Sequence, residues 1–233
     1  MDRMENMKLM DIYNRLYNNF GPRHWWPAKD DFEMIIGAIL TQNVAWKNVE
    51  VAIENLYSRD LIDLYRLYNA KNEEIIDAIR PARFFNQKLR YIKAFCKHII
   101  DEYGGELDKF FDKDTKTLRR ELLSLPGIGE ETADVIILYG ARKPIFVVDA
   151  YTKRLVSLLG IMDGPFTYPR VQQYFMSNLE TDLYLFNEYH ALIDAWGNII
   201  CRGKAAKCAE CPLSDLCSIC TLDRTKDRIA PVI

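Results

Sequence analysis

Apolar residues recur three and four positions apart along almost the whole chain, and strictly alternating apolar–polar runs are scarce. A period near 3.6 marks an amphipathic helix and a period of two marks a half-buried strand, so the pattern predicts an all-α fold. Helices are predicted at 7–19, 30–41, 46–57, 73–79, 86–103, 115–123, 129–140, 150–159, 168–177 and 182–196. The breaks fall at Gly21-Pro22, Pro81, Gly104-Gly105, Pro126-Gly127, Pro144, Gly164-Pro165 and Gly197, residues that bend or stop a helix. No internal repeat or low-complexity tract interrupts the series. Beyond Cys217 the composition turns polar and charged through Thr221–Arg228, which predicts a loose C-terminal tail.

A chain of 233 residues fits one large or two small domains with a sizeable core. No apolar run approaches the roughly 20 residues that span a bilayer. The opening MDRMENMKLMDIYNRL is charged throughout and lacks a signal-peptide apolar region. A soluble protein of the cytoplasm, without membrane partners, is therefore expected. The net charge of −2 gives no global hint of an anionic ligand, so any nucleic-acid binding must use local basic surface. Between Arg80 and Lys97 lie Arg80, Arg83, Lys88, Arg90, Lys93 and Lys97 with no acidic residue among them, beside Phe84, Phe85 and Asn86. Such a run is usually a solvated helix face. It also supplies the local positive field that the net charge does not.

The stretch LPGIGEETADVIILYG places Gly127 and Gly129 around one isoleucine, directly before an apolar helix. Glycine permits unusual backbone angles and close approach of a ligand, and the helix start presents unpaired N–H groups at its positive end. Together these form a seat for an anion such as a DNA phosphate, in a helix–hairpin–helix arrangement. A bare GxG is more often an ordinary turn; the complete LPGxGxxTAxx[IV] run favours the phosphate seat. Glu130 and Glu131 suit the helix dipole but would repel a phosphate, so they are expected to face elsewhere.

Five of the six cysteines crowd between Cys201 and Cys220, and Cys96 sits alone in an apolar helical pattern. In a reducing compartment that crowding argues for a metal site over disulfides. Cys201, Cys208, Cys211 and Cys217 are spaced C-x6-C-x2-C-x5-C, a set able to hold a [4Fe–4S] cluster or tetrahedral zinc. Zinc sites more often show two short C-x2-4-C pairs, and this stretch has one. A full ligand set leaves no open coordination position, so the metal ties a loop and takes no part in chemistry. Cys220 is a fifth thiol able to substitute for Cys217. The basic neighbours Arg202, Lys204 and Lys207 allow the tied loop to touch DNA as well.

With LPGIGEETAD, then VVDAYTKRL, then HALIDAWGNIIC leading into the four cysteines, nearly the whole chain resembles the endonuclease III superfamily of DNA glycosylases. The resemblance implies base excision from duplex DNA by a monomer at the nucleoid. It implies two helical lobes with DNA across the cleft between them: a six-helix barrel at 28–141 carrying the hairpin, and a discontinuous lobe from 1–27 and 142–233 holding a [4Fe–4S] cluster. Asp149 reads by itself as a helix N-cap. By resemblance it is the catalytic carboxylate, which stabilises positive charge on the sugar and orients or deprotonates the attacking water. Arg142, Lys143, Lys153 and Arg154 flank it and would track phosphates. At the position of Glu131 the bifunctional members hold a lysine that attacks the sugar as an amine. A glutamate cannot form that adduct, so the expectation is a monofunctional enzyme without lyase activity, in which Glu131 positions water or contacts the base.

GPRHWWP, GAILTQNVAW and IRPARFFNQK resemble, within that superfamily, the monofunctional 3-methyladenine glycosylases. This implies an aromatic-walled pocket in which Trp46 stacks on the everted base, with Trp25 or Trp26 as the opposite wall, although plain core packing is the usual role of such residues. Indoles suit a cationic methylated purine through a cation–π contribution of about 0.5–2 kcal/mol. Gln42 matches the residue that fills the gap left by the everted nucleotide. Glycosylases for deaminated, mismatched or oxidised bases are the alternative, and a non-catalytic DNA-binding iron–sulfur protein is a further one.

Overall fold

The structure, a computed structural model, describes residues 3–220, and among these it is all α-helical with no strand. The tail expected at Thr221–Arg228 lies outside the described residues. No described helix is long and apolar enough to cross a membrane. The chain forms two compact units, one from residues 1–25 and 144–233 and the other from residues 26–143.

The continuous unit is built around α2 (Asp31–Leu40), in which every residue from Phe32 to Leu40 is buried. A helix apolar on all sides must be surrounded. It is enclosed by α3 (Trp46–Ser58), α6 (Phe85–Tyr103), α9 (Glu130–Val135) and a five-residue π turn, Ile136–Gly140, that extends α9. Asp30 caps α2 by accepting from Glu33 N. The remaining helices, α4 (Leu64–Asn69), α5 (Asn72–Ile79), α7 (Leu107–Phe111) and α8 (Thr115–Ser124), complete the shell. The short α4 and α7 are absent from the sequence-based list. At six and five residues they are under two turns, too short for a 3.6-residue period to show.

The discontinuous unit packs α1 (Arg3–Phe20), α10 (Ala150–Leu158) and α11 (Tyr168–Asn178) around α12 (Leu183–Ile199). Its core is aromatic. Phe146 and Phe175 stack at 4.2 Å between ring centroids, and Phe186 and Tyr189 meet Phe146 edge-on. The buried Tyr189 hydroxyl donates to Leu9 O, tying α12 to α1. Gly197 lets α10 and α12 approach: a Cβ there would lie 2.1 Å from the Tyr151 side chain.

Within the basic run from Arg80 to Lys97, Lys88 and Lys93 are committed to the fold, while the other four basic residues stay exposed, as a solvated helix face would. Lys88 is buried and donates to Leu40 O and Ala82 O, both at 2.7 Å, closing carbonyls at the end of α2 and before α6. Lys93 donates to Tyr68 O and Ala70 O, Lys97 pairs with Asp101, and Arg80 pairs with Asp77. Arg80, Arg83, Arg90 and Lys97 are all exposed. Helical periodicity places a lysine on a face without revealing whether a carbonyl waits beneath it.

Two outcomes test this packing. Phe175→Ala removes a fully buried ring and should lower unfolding free energy in urea by about 3–5 kcal/mol. Burial lowers the Lys88 ammonium from 10.5 to about 8, so the unfolded chain binds more protons between those values. Stability drawn from Lys88 is therefore complete above pH 10.5 and is lost as pH falls through 8. Lys88→Met, which leaves two carbonyls without a donor at a cost of about 1–3 kcal/mol each, should not show that rise between pH 8 and 10.5 in urea titrations.

Candidate active site

In the discontinuous unit the buried run Ile145–Val148 delivers Asp149 to the first turn of α10. One carboxylate oxygen, Oδ1, accepts from Thr152 N at 2.6 Å and from Thr152 Oγ1 at 2.7 Å. The other, Oδ2, lies 4.0 Å from His190 Nε2 on α12. Asp149 is only 8% exposed and His190 6%. One turn further along α12, burial lifts the Asp194 carboxyl above the usual carboxylate range; His190 opposes that shift and Asp149 adds to it. Asn198 donates to Asp194 Oδ1 at 3.0 Å, and Tyr151 donates to Asn198 Oδ1 at 2.7 Å. The sequence singled out Asp149 but neither His190 nor Asp194. The available signal was two ionisable residues four apart on a mostly buried helix.

In the continuous unit, α8 and α9 form the helix–turn–helix expected around Gly127. That residue has φ +78°, and a Cβ on it would lie 2.2 Å from the Tyr91 ring, so the position requires glycine. Gly129 is the α9 N-cap in extended conformation, with open space where a Cβ would point. Ile128 between them is buried. Arg119 of α8 grips the fully buried Asp134 of α9 through two bonds of 2.7 and 3.1 Å, and lies 3.6 Å from Glu130. Glu130 is thus held toward α8, while Glu131 is exposed in the first turn of α9. Gln42, just beyond α2, donates to Gly127 O at 2.9 Å and to Thr132 Oγ1 at 3.0 Å. Its amide nitrogen holds the turn in place.

Beside Gln42 the backbone is strained: Asn43, Arg83 and Phe84 all have positive φ, at 56°, 54° and 43°. Phe84 is 57% exposed, unusual for a ring of that size, and lines a small cavity of about 170 Å³ with Gln42, Asn43, Gln87, Lys88 and Tyr91. That exposure depends on the left-handed backbone, which residue type does not reveal.

A larger cavity of about 530 Å³ lies against α2 and α3. Trp26 and Trp46 line it, meeting edge-to-face at 5.2 Å, with Trp26 also 5.6 Å from Tyr139. Gly37 gives the Trp26 indole room on α2, since a Cβ there would sit 3.2 Å from Nε1. Glu33, Glu50 and Glu54 share the lining with Lys29 and Lys47. Glu33 Oε2 is held by Lys29 N and the Tyr57 hydroxyl, at 2.9 and 2.7 Å. Trp25, the other aromatic wall expected from sequence, belongs to the discontinuous unit, where it is half-buried.

Arg154 Nη1 donates to Cys201 O at 2.6 Å, and its guanidinium stacks over Tyr151 at 5.4 Å. Arg142 pairs with Asp31 at 2.7 Å. Cys201 senses the charges of Cys208, Cys211 and Cys217, the Cys220 thiol is hydrogen-bonded with those of Cys208 and Cys217, and Trp196 Nε1 approaches Cys211 Sγ at 3.4 Å. The thiols therefore converge, although no group of three or more His, Cys, Asp or Glu among the described residues is arranged to hold a metal ion.

Residues 36–181 match the HhH-GPD superfamily of base excision DNA repair proteins. The chain is 45% identical to the Methanocaldococcus jannaschii protein MJ1434, which carries a provisional assignment as a DNA repair glycosylase, over 88% of this chain and 94% of that one. Its fold matches a trapped endonuclease III–DNA covalent intermediate with a TM-score of 0.81 at 22% identity, covering 94% of this chain and 98% of the other. It also matches the H. pylori 3-methyladenine DNA glycosylase bound to 1,N6-ethenoadenine with a TM-score of 0.72 at 26% identity, covering 83% and 97%. By the extent of these matches, the chain belongs to the HhH-GPD superfamily of base excision DNA repair glycosylases.

Proposed function

We propose that the protein is a monofunctional DNA glycosylase that removes an alkylated purine, such as 3-methyladenine, from duplex DNA and leaves the backbone intact. The observation that carries this reading is the cavity of about 530 Å³ lined by Trp26 and Trp46, with three carboxylates against two ammonium groups around it. Its size suits a small planar ligand. Electron-rich indoles and a negative rim favour a cationic base over a neutral one, by about 0.5–2 kcal/mol for the cation–π contribution alone. The H. pylori relative, whose structure holds a modified adenine, supports the same class.

Everting a nucleotide costs a few kcal/mol. Gln42 and the exposed Phe84, neighbours along one small cavity, would fill the vacated stack. Gly127 and Gly129 would seat a backbone phosphate, and Arg83, Arg90 and Arg154 would add charge. The Asp149 carboxylate stabilises the sugar cation as the bond between C1′ and the base breaks, the electron pair leaving with the base. Water adds to C1′ and gives its proton to Asp149. An alkylated base leaves neutral, so this modest machinery suffices. Glu131 offers no amine, and no Schiff base forms. Cys201, Cys208, Cys211 and Cys217 are four soft sulfur donors in one short segment, with Cys220 beside them, and by their donor chemistry they would hold a [4Fe–4S] cluster. When bound, the cluster ties that segment together.

The test is a panel of dimethyl-sulfate-methylated DNA and duplexes carrying a single G·U, G·T or 8-oxoguanine pair. Methylated DNA should lose its base, with strand breaks only after alkali and no adduct trapped by borohydride. A trapped adduct would reject the monofunctional assignment, and release confined to the other duplexes would reject the substrate class. Asp149→Asn should bind DNA but release base about 10²–10⁴-fold more slowly. Binding without release by the wild type would leave a DNA-binding protein only. Affinity should fall steeply with salt, as phosphate contacts require; indifference to salt would reject the proposed phosphate contacts. Purified protein should be brown and contain iron, whereas colourless protein containing zinc would replace the cluster.

A further inference from the structure

We propose that His190 and Asp194 are positioning residues that hold a proton beside Asp149, so that an imidazolium faces its Oδ2 and keeps this carboxylate ionised inside the protein. The inference rests on Asp149 as the carboxylate of base release and names what maintains its charge.

A carboxylate removed from water tends to take up a proton unless donors or an opposite charge stabilise its anion. At Asp149 both capping bonds go to Oδ1, from Thr152 N and Thr152 Oγ1. Oδ2 instead faces His190 Nε2 at 4.0 Å, and both side chains are at least nine-tenths buried. That separation is too long for a direct hydrogen bond but within range of an ion pair, where an imidazolium favours the carboxylate. His190 in turn sits one turn from Asp194 on α12 and interacts with it. A single imidazole thus interacts with two carboxyl groups. Asp194 places a second carboxyl group one helical turn from the imidazole, and the helix fixes their spacing.

The surrounding groups leave this role to His190. Arg23, from the segment after α1, acts on Asp194. Glu188 of α12 is engaged by Arg23 N. Tyr151 of α10 feels both carboxylates, and Arg154 and Arg202 act on Tyr151. His190 is the ring whose nitrogen faces Asp149 Oδ2.

The chain has three histidines, so imidazole signals can be followed singly by NMR in the intact protein, with His190→Gln assigning the one of interest. Linkage is reciprocal. If His190 and Asp149 support each other's charge, Asp149→Asn should lower the His190 titration midpoint by about 1 pH unit or more. Asp194→Asn should lower it as well. Asparagine still caps a helix, so the Asp149 variant is expected to fold. In parallel, single-turnover base release from methylated DNA by His190→Gln should keep its DNA affinity while the acid limb of its pH–rate profile moves up by about 1 pH unit. A purely structural His190 would lower the whole profile without moving the limb. A His190 midpoint unmoved by Asp149→Asn would overturn the inference even if that variant is inactive. An Asp149→Asn variant that still releases base would instead overturn the assignment of Asp149.

Discussion

Two hydrogen bonds from Thr152 to one oxygen of Asp149 set the geometry on which the proposed chemistry depends. The cap stabilises the start of α10 by about 0.5–2 kcal/mol. It also removes the rotational freedom a surface carboxylate would have, and leaves the second oxygen aimed at His190. The positive end of the α10 dipole further favours the anion. Because one side chain both begins a helix and offers a fixed negative charge, the local fold and the proposed reaction draw on the same two bonds. Thr152 is fully buried, which keeps water from competing for them.

The continuous unit shows a comparable economy. Gln42 spends its amide nitrogen on Gly127 O and Thr132 Oγ1, fixing the hairpin turn against the end of α2. Arg119 and the buried Asp134 lock the two hairpin helices to each other. A buried carboxylate left without its arginine would be strongly destabilising, so this pair enforces one arrangement of the hairpin. Lys88 and Lys93 close backbone carbonyls that α2 and α4 leave open. The result is a hairpin whose exposed features, Gly129, Glu131 and the nearby Phe84, stand on a rigid base.

Membership in the HhH-GPD superfamily follows from the length of the matches, but the chemistry within that family turns on single positions. Glu131 stands on an exposed first turn, where an acidic residue suits the helix dipole. The cavity at Trp26 and Trp46 draws its shape from Gly37, whose missing side chain admits an indole against α2. Small changes at such places alter what an otherwise constant fold can bind.

Much of the architecture was legible in the chain. Helical periodicity placed ten helices near their observed positions, glycine and proline marked their ends, and the LPGIG turn and the Asp149 cap were readable because both depend on neighbours within four residues. What escaped notice depended on distant partners. The short α4 and α7 are held by packing, since isolated segments of that length do not sustain a helix. The fate of each lysine between Arg80 and Lys97, the exposure of Phe84 on a left-handed backbone, and the meeting of His190 with Asp149, far apart in the chain, were decided only by tertiary structure. The chain by itself determined where hydrogen bonds close within a few residues; burial and charge pairing arise only when remote segments exclude water together, so the folded protein alone assigned those.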